Sequence, residues 1–385
     1  MKESMAMILI FFSIVFVNLV WLIIKKNNLW IGIGSALALV VMMAGNQSNM
    51  DYHNYSQWYV QHWYPASVEK GYVKCANFFS SLGIPYSLFL VLLFATCALL
   101  IVLAVIKLHA NVHAVILMFC GYQIFFDYVQ IRNTISVALL VGAIYLITVR
   151  KRIIAGILIA LSALFHVSMI IYLPIIFFPA SKKMNKLYRA FLIAVLVFCA
   201  LTFVNGNRLP FIEVIEDLGY IDAEKYEKYF TTSSNLGFVL PFALQIANLF
   251  LIMISDNAIQ GMDIKRISQD NRSKEKILLK IQRFSSMTKG AVVLSSVALP
   301  MVMINEEFVR FFRNCNILLY VEVAIIITLC SSRIISRELR AVKGYCIDYT
   351  LYTGIVFAVI LLWIVLYTPQ GIVASFFTGN RFLSF

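Results

Sequence analysis

The sequence predicts an all-α, polytopic integral membrane protein. Of its 385 residues, 61% are hydrophobic and only 13% are charged, whereas globular chains average about 45–50% apolar and ~25% charged residues. The apolar residues form nearly uncharged blocks, among them 5–24, 86–106 and 349–368, each close to the ~20 residues that a transmembrane helix needs. Because these blocks lack the alternating polarity of barrel strands, we predict that they are helices.

The first block, 5–24, has the apolar character of a signal peptide. It runs on for a full span, and no A-x-A-like cleavage site precedes Lys25. We therefore predict that it is a retained membrane segment.

Signatures of soluble enzymes are absent from the sequence. It contains no P-loop, HExxH, GxSxG or Rossmann fingerprint. Its seven cysteines form no CxxC pair, so we interpret them as small apolar packing residues and predict neither a disulfide framework nor a metal site.

The basic residues predict how the chain is oriented. Of its 32 lysines and arginines, 22 lie in six short segments between the apolar blocks. Because positive charge accumulates on the cytoplasmic side, we place these segments inside and both termini outside, with about twelve membrane segments between them. Twelve of the 19 acidic residues then lie outside. The net charge of +13 is explained by anionic lipid, and no nucleic acid partner is expected.

The apolar run 153–178 has basic residues at both ends. A single crossing would place one basic cluster outside, whereas a hairpin with legs 153–165 and 167–178 keeps both inside. Each leg would measure roughly 20 Å at ~1.5 Å per residue, which is too short for the ~30 Å hydrocarbon core. We therefore favour a short or re-entrant hairpin with His166 at its tip over one long tilted helix.

We treat residues 1–385 as a single transmembrane domain, since neither a repeat nor a soluble domain is visible. The polar stretches between the blocks are predicted to be loops, and we expect the outer ones to be folded because they are long and rich in aromatic residues. The predicted extracytoplasmic loops are 46–85, 205–235 and 305–315, with a polar outer tail at 369–385. The predicted cytoplasmic loop 255–289 is basic and mostly helical in pattern.

Two carboxylates stand out in the first outer loop. Asp51 opens a stretch of aromatic and hydrogen-bonding residues that ends at Tyr59, and Glu69 follows it. The aromatic residues alone fit an interfacial belt, but carboxylates gain nothing from such a position. Asp51 and Glu69 are therefore candidates for an acid, a base or an orienter of hydroxyl groups.

Cationic residues lie near the predicted outer ends of two spans. Arg132 opens one span, and Arg310 and Arg313, three residues apart on one helix face, open another. A guanidinium binds phosphate bidentately and stays charged, and a charge at membrane depth indicates function by default. The alternatives are snorkelling of Arg132 to the headgroups and an ion pair between Arg310 and Glu306.

His166 is the only acidic, basic or histidine side chain in the run 153–178. A lone histidine on an apolar helix is often a packing residue. Its place at the tip of a hairpin favours a functional role instead, either as a base or as a hydrogen-bond donor to a diphosphate.

Together these residues resemble the EpsG branch of the Wzy-type polysaccharide polymerases over nearly the whole chain. Four stretches carry the resemblance: Asp51-Tyr52 with Tyr55 and then Glu69-Lys70-Gly71-Tyr72; Arg132-Asn133 with Ser136-Val137-Ala138-Leu139; Leu161 to Ser168 around His166; and Lys225-Tyr226 with Tyr229. The stretch around His166 is the most specific. Arg310 and Arg313 match a less well-defined basic position, and Lys70 stands where the family often has a small residue.

The resemblance implies a glycosyltransferase that polymerises undecaprenyl-diphosphate-linked oligosaccharide units into capsule, exopolysaccharide or O-antigen on the outer face of the bacterial plasma (inner) membrane. It implies no metal, cofactor or nucleotide sugar, and it suggests a flippase and a chain-length regulator as membrane partners. The residues it assigns are catalytic Asp51, Glu69 and His166, diphosphate-binding Arg132, Arg310 and Arg313, and substrate-binding Tyr52, Tyr55, Asn133 and Tyr226.

This chemistry agrees with the residue types. A departing lipid diphosphate needs cations as the anomeric bond breaks, and a base must take the proton of the acceptor hydroxyl. Asp51, Glu69 and His166 all remain candidates for the base; we expect His166 near the diphosphate and a carboxylate near the acceptor. The alternatives are a flippase for the same lipid, a ligase that uses the same donor, and a membrane acyltransferase.

Overall fold

The computed structural model describes residues 2–49, 51–179, 184–210, 237–268, 271–331, 349–366 and 371–382. Within these ranges all regular structure is helical, apart from one isolated bridge between Asn46 and Asn380. The structure confirms the predicted all-α class.

Fifteen α-helices and one 3-10 helix organise the described part of the chain. They are α1 Lys2–Ile23, α2 Leu29–Gly45, α3 Tyr52–Gln61, α4 Lys70–Ser81, α5 Tyr86–Lys107, α6 Val112–Asp127, α7 Ile131–Thr148, α8 Arg152–Phe165, the 3-10 helix Val167–Phe177, α9 Met184–Val204, α10 Val239–Gly261, α11 Ile264–Ser268, α12 Arg272–Val302, α13 Glu306–Ser331, α14 Tyr349–Leu366 and α15 Gly371–Phe376.

Seven of these helices are long and apolar enough to cross a membrane, namely α1, α5, α7, α9, α10, α12 and α13. Five shorter apolar helices of 10–17 residues accompany them: α2, α6, α8, the 3-10 helix and the part of α14 up to Val359. The chain is therefore a polytopic membrane protein, while the number of twelve segments stays a prediction.

Helix α13 lies in the centre of the helix bundle, whereas α1 and α9 lie at its periphery. In α13 every residue from Phe312 to Ile327 is buried, as expected for a helix that is surrounded by others. In α1 and α9, by contrast, large apolar side chains such as Phe16 and Phe203 are exposed. These faces are the ones that lipid would cover.

The predicted hairpin is confirmed. Helix α8 stops at His166, whose backbone is extended (φ −153°, ψ 113°), and the 3-10 helix returns to Phe177. At the base, a guanidinium nitrogen of Arg152 donates to the carbonyl oxygen of Phe178 at 3.1 Å. The 14 residues of α8 rise about 21 Å at 1.5 Å per residue, so the leg is shorter than a ~30 Å hydrocarbon core, as predicted.

The stretch 46–85, predicted to be an outer loop, is folded into helices, and one glycine lets it approach the hairpin. Helices α3 and α4 lie within 46–85, and α4 packs on the end of α8. A Cβ atom at Gly71 would stand 2.6 Å from the carbonyl oxygen of Leu164. Next to it, the fully buried Tyr72 ring meets Tyr55 edge-on with 5.4 Å between centroids. Gly71 therefore sets the distance between α4 and the hairpin tip.

The stretch 255–289 is largely helical, as its sequence pattern predicts, and the predicted loop 305–315 is largely helical as well. The stretch 255–289 contains the end of α10, α11 and the first part of α12, and 305–315 is mostly the beginning of α13. Two buried charged side chains of the stretch 255–289 are paired. Lys289 Nζ lies 2.9 Å from Asp256 Oδ2, with both side chains buried, and it also donates to Asn185 Oδ1 at 2.8 Å. Of the predicted loop 205–235, the structure describes only 205–210, so Tyr226 lies outside the described residues.

We predict that Gly71→Ala lowers the melting temperature of the purified protein in detergent. The new methyl group would overlap the backbone of Leu164, and overpacking typically costs about 1–3 kcal/mol. Gly34→Ala is the matched control, because a Cβ there meets nothing within 4 Å. Equal melting temperatures for the two variants would contradict close packing at Gly71.

We also predict that Lys289→Met destabilises the protein and that Asp256→Asn added to it restores most of the loss. Removing one member of a buried ion pair leaves an uncompensated charge, which typically costs about 3–5 kcal/mol. The exposed Lys276 of the same helix provides the control substitution Lys276→Met. Size-exclusion chromatography after heating measures the thermal stability of Lys289→Met, of the double variant and of Lys276→Met. A double variant no more stable than Lys289→Met would refute the pairing.

Candidate active site

One polar cavity of about 340 Å³ lies where four distant chain segments meet. It is bordered by the start of α3, the start of α7, the hairpin tip and the start of α13. Its lining residues are Asp51, Asn54, Tyr55, Trp58, Val129, Gln130, Ile131, Arg132, Asn133, His166, Glu307 and Arg310. We call it the arginine cavity.

The arginine cavity and the basic segments occupy opposite ends of the helices. Helix α7 begins at the cavity with Arg132 and ends next to Arg150. Near the latter end, Lys280 Nζ donates to the carbonyl oxygen of Lys107 at 3.1 Å. This separation of a polar cavity from a basic end is what the positive-inside prediction requires.

Arg132 stands in the first turn of α7 and is held from two sides. Its guanidinium forms an ion pair with Glu69 and lies 5.7 Å from the centroid of the Tyr55 ring. The N-terminus of an 18-residue helix adds its partial positive charge at the same place. Arg132 therefore lines a cavity within the protein and contacts Glu69 and Tyr55. Snorkelling to lipid headgroups does not explain these contacts.

Asn133 follows Arg132 on the cavity wall and is only 2% exposed. Its Oδ1 atom has no hydrogen-bond partner among the residues that the structure describes. A buried polar atom without a partner is costly, so a ligand with a hydroxyl group would find an acceptor here.

His166 connects the hairpin tip to the cavity. Its Nδ1 atom lies 2.7 Å from Ser168 Oγ, and Asn314 Nδ2 donates to the same oxygen at 3.2 Å. The Nε2 side of the ring is therefore the side that can meet a ligand. Burial and the nearby charges of three arginines disfavour a positive charge on this ring.

The two arginines of α13 have different positions, contrary to the expectation that one helix face presents both. Arg310 lines the cavity and pairs with Glu307, not with Glu306. Arg313 is 3% exposed and lies behind the wall, where its Nη2 donates to Gln130 Oε1 at 2.6 Å. Its guanidinium also stacks 4.1 Å from the centroid of the Phe126 ring. Arg313 thus supports Gln130, which does line the cavity.

The two predicted carboxylates also differ. Asp51 precedes α3 and lines the cavity half-buried; burial raises its pKa, while the charges of Arg132 and Arg310 lower it, and the net direction is upward. Glu69 is engaged by Arg132. A raised pKa makes a carboxylate a stronger base once it is deprotonated.

Of the predicted aromatic residues, Tyr55 lines the cavity and Tyr52 does not. The Tyr52 ring packs on Tyr86 with 5.4 Å between centroids, and its hydroxyl accepts from Gln47 at 3.3 Å. The side chains of Asn54, Trp58, Gln130 and Glu307 also border the cavity. Asn54 and Trp58 belong to the aromatic and hydrogen-bonding stretch that begins at Asp51, but none of the four was predicted individually as a site residue.

The sequence profile of the EpsG family matches residues 30–370. No curated protein and no solved structure matches the chain. The matched region contains every residue of the arginine cavity and both legs of the hairpin. The chain therefore belongs to the EpsG family and is a membrane protein of the polysaccharide-polymerase type.

Proposed function

We propose that the protein is a glycosyltransferase that joins undecaprenyl-diphosphate-linked oligosaccharide units into a surface polysaccharide on the outer face of the bacterial plasma membrane. The observation that carries the proposal is the meeting of Arg132, Arg310, His166 and Asp51 around one cavity. Its volume of about 340 Å³ falls in the range of small-molecule sites, ~300–1,000 Å³. Membership of the EpsG family supports the same reaction class.

The cationic wall suits the diphosphate of the donor. Arg132 and Arg310 face a shared space, and the N-terminus of α7 lies beside them. Guanidinium groups stabilise the negative charge that grows on a departing diphosphate. Because the hairpin legs are short, its tip would lie at or below the outer membrane surface, close to the diphosphate of a lipid-linked sugar.

Asp51 is our choice for the base, because Glu69 is already engaged by Arg132. In this reaction the acceptor hydroxyl oxygen attacks the anomeric carbon of the donor sugar, and its proton passes to the Asp51 carboxylate. The bond between the anomeric carbon and the diphosphate oxygen breaks, and the electron pair leaves with the lipid diphosphate. Trp58, Asn54 and Asn133 supply an aromatic face and amides for the sugars.

The remaining parts of the proposal follow from this reaction. The arginines and the helix N-terminus supply positive charge, and we expect no metal or other cofactor. Donor units must arrive from the cytoplasm, so a flippase is an expected partner, and a chain-length regulator is a second. Glu69 and Arg313 act as positioning residues, since Glu69 orients Arg132 and Arg313 holds Gln130.

We predict that deleting the gene replaces long polymer by single lipid-linked repeat units on the outer face, and that His166→Ala and Arg132→Ala fail to restore the polymer. Glycan electrophoresis with membrane immunoblots measures polymer and protein together. His53→Ala is the matched control, because His53 is exposed and does not line the cavity. Repeat units retained inside would indicate a flippase, and full-length polymer still attached to its lipid would indicate a ligase; either result would overturn the proposal.

We predict a larger loss of activity for Asp51→Asn than for Glu69→Gln. A general base contributes typically ~10²–10⁴-fold to a rate, whereas Glu69→Gln keeps a hydrogen-bond acceptor for Arg132. Initial rates of polymerisation in membranes, normalised to protein, compare the two variants. A greater loss for Glu69→Gln would exclude Asp51 as the base.

A further inference from the structure

Two residues behind the cavity wall, Ser168 and Asn314, control how His166 presents its ring. We infer that Asn314 and Ser168 form a directed hydrogen-bond relay that holds His166 as the neutral tautomer with its proton on Nε2. This makes both of them positioning residues. The inference rests on the proposed function only where it assigns the Nε2–H group to the diphosphate of the donor.

The direction of the relay follows from the hydrogen bonds. Asn314 Nδ2 donates to Ser168 Oγ at 3.2 Å, and Ser168 Oγ lies 2.7 Å from His166 Nδ1. A hydroxyl that accepts from the amide still has its own proton to donate, and His166 Nδ1 is the only acceptor that the described residues offer to Ser168 Oγ. Ser168 then donates to Nδ1, and a neutral ring with an accepting Nδ1 carries its proton on Nε2.

The relay is buried in the protein, so its hydrogen bonds can fix the tautomer of the His166 ring. Asn314 is fully buried and Ser168 nearly so, so the described surroundings leave little room for water to replace either bond. Asn314 and Ser168 come from different elements, the start of α13 and the returning leg of the hairpin. The relay therefore ties the tautomer of His166 to the packing of these two elements.

The second buried histidine provides an internal contrast. His113 Nε2 accepts from the backbone N–H of Asn28 at 3.1 Å, and its Nδ1 lies 2.7 Å from Asn18 Oδ1. A backbone amide donates in only one direction, so His113 carries its proton on Nδ1. The same protein thus contains both tautomers, each set by its neighbours.

A proton on Nε2 is what an anionic ligand requires from this ring. The arginine cavity contains two guanidinium groups, and an Nε2 lone pair would repel diphosphate oxygens beside them. An Nε2–H group instead adds a third donor, without adding a charge among the arginines. One preorganised donor of this kind is worth ~10²–10³-fold in rate.

The test is nitrogen NMR of the protein labelled at histidine and reconstituted in nanodiscs without substrate. In multiple-bond proton–nitrogen correlations, Hδ2 couples strongly only to Nε2, which assigns the two ring nitrogens. The chemical shift of each nitrogen then shows whether it carries the proton. We expect Nε2–H for His166 and Nδ1–H for His113, with His166→Gln used to assign the signal. An Nδ1–H tautomer or a charged ring at His166 would overturn the inference.

Asn314→Asp provides the decisive variant. A carboxylate can only accept, so Ser168 would donate to it and accept from His166, and the proton would move to Nδ1. We expect this change of tautomer for His166 with His113 unchanged; an unaltered His166 spectrum in a folded variant would refute the relay. The NMR result does not depend on activity, so it remains decisive even if the polymerase proposal fails.

Substitutions at Ser168 link the relay to turnover. We expect Ser168→Ala to lower the maximal polymerisation rate roughly ten- to a hundred-fold with a smaller change in the apparent KM, and Ser168→Thr, which keeps the hydroxyl, to restore most of the rate. Equal loss in both variants would show that Ser168 serves packing alone. Loss of polymer in His166→Ala combined with a normal Ser168→Ala rate would leave the polymerase proposal intact and remove the relay.

Discussion

The contact between the hairpin and α7 determines where the polar groups of the arginine cavity stand. Ser136 Oγ shares its proton between the carbonyl oxygens of Arg132, at 2.8 Å, and Ser162, at 3.0 Å. In return, Ser162 Oγ donates to the carbonyl oxygen of Ser136 at 2.8 Å. Small polar residues allow two membrane helices to approach closely. This reciprocal pair lies one turn from Arg132 on α7 and one turn before His166, which follows α8. The side chains of Arg132 and His166 are therefore brought to the same cavity. Because α4 packs on Leu164 through Gly71, Glu69 comes into reach of Arg132 as well.

A second constraint is the cost of charge at membrane depth. The protein meets it differently at the two ends of the bundle. Near the basic end, Lys289 and Asp256 neutralise each other behind protein, and Ser285 donates to the buried carboxylate of Glu322. At the other end, Arg132, Arg310 and Asp51 border an open polar cavity. Charge that faces a cavity remains available to a ligand, whereas the paired charge of the basic end contributes to packing.

Much of this arrangement could be predicted from local patterns. Uninterrupted apolar blocks predicted the helices, and basic residues on both sides of 153–178 predicted the hairpin. Asp51, Arg132, His166 and Arg310 were singled out because charged groups near apolar blocks are unusual. The partners of these residues could not be predicted, since Glu69 and Arg132 are 63 positions apart. The local winding of the chain was also not predicted: Glu306–Val309 is a 3-10 turn, in which residues i and i+3 align, and Arg310 pairs with Glu307 and not with Glu306.

In the proposed mechanism, the arginine cavity alone carries out transfer from a lipid diphosphate donor. Reconstitution of the purified protein in proteoliposomes with the purified undecaprenyl-diphosphate-linked repeat unit tests it most directly, with the product resolved by electrophoresis. We expect polymer to form without added nucleotide sugar, metal or second protein, and Arg310→Gln in the same vesicles to yield little or none. Repeat units that stay single in vesicles containing folded wild-type protein, or that polymerise equally well with Arg310→Gln, would contradict it.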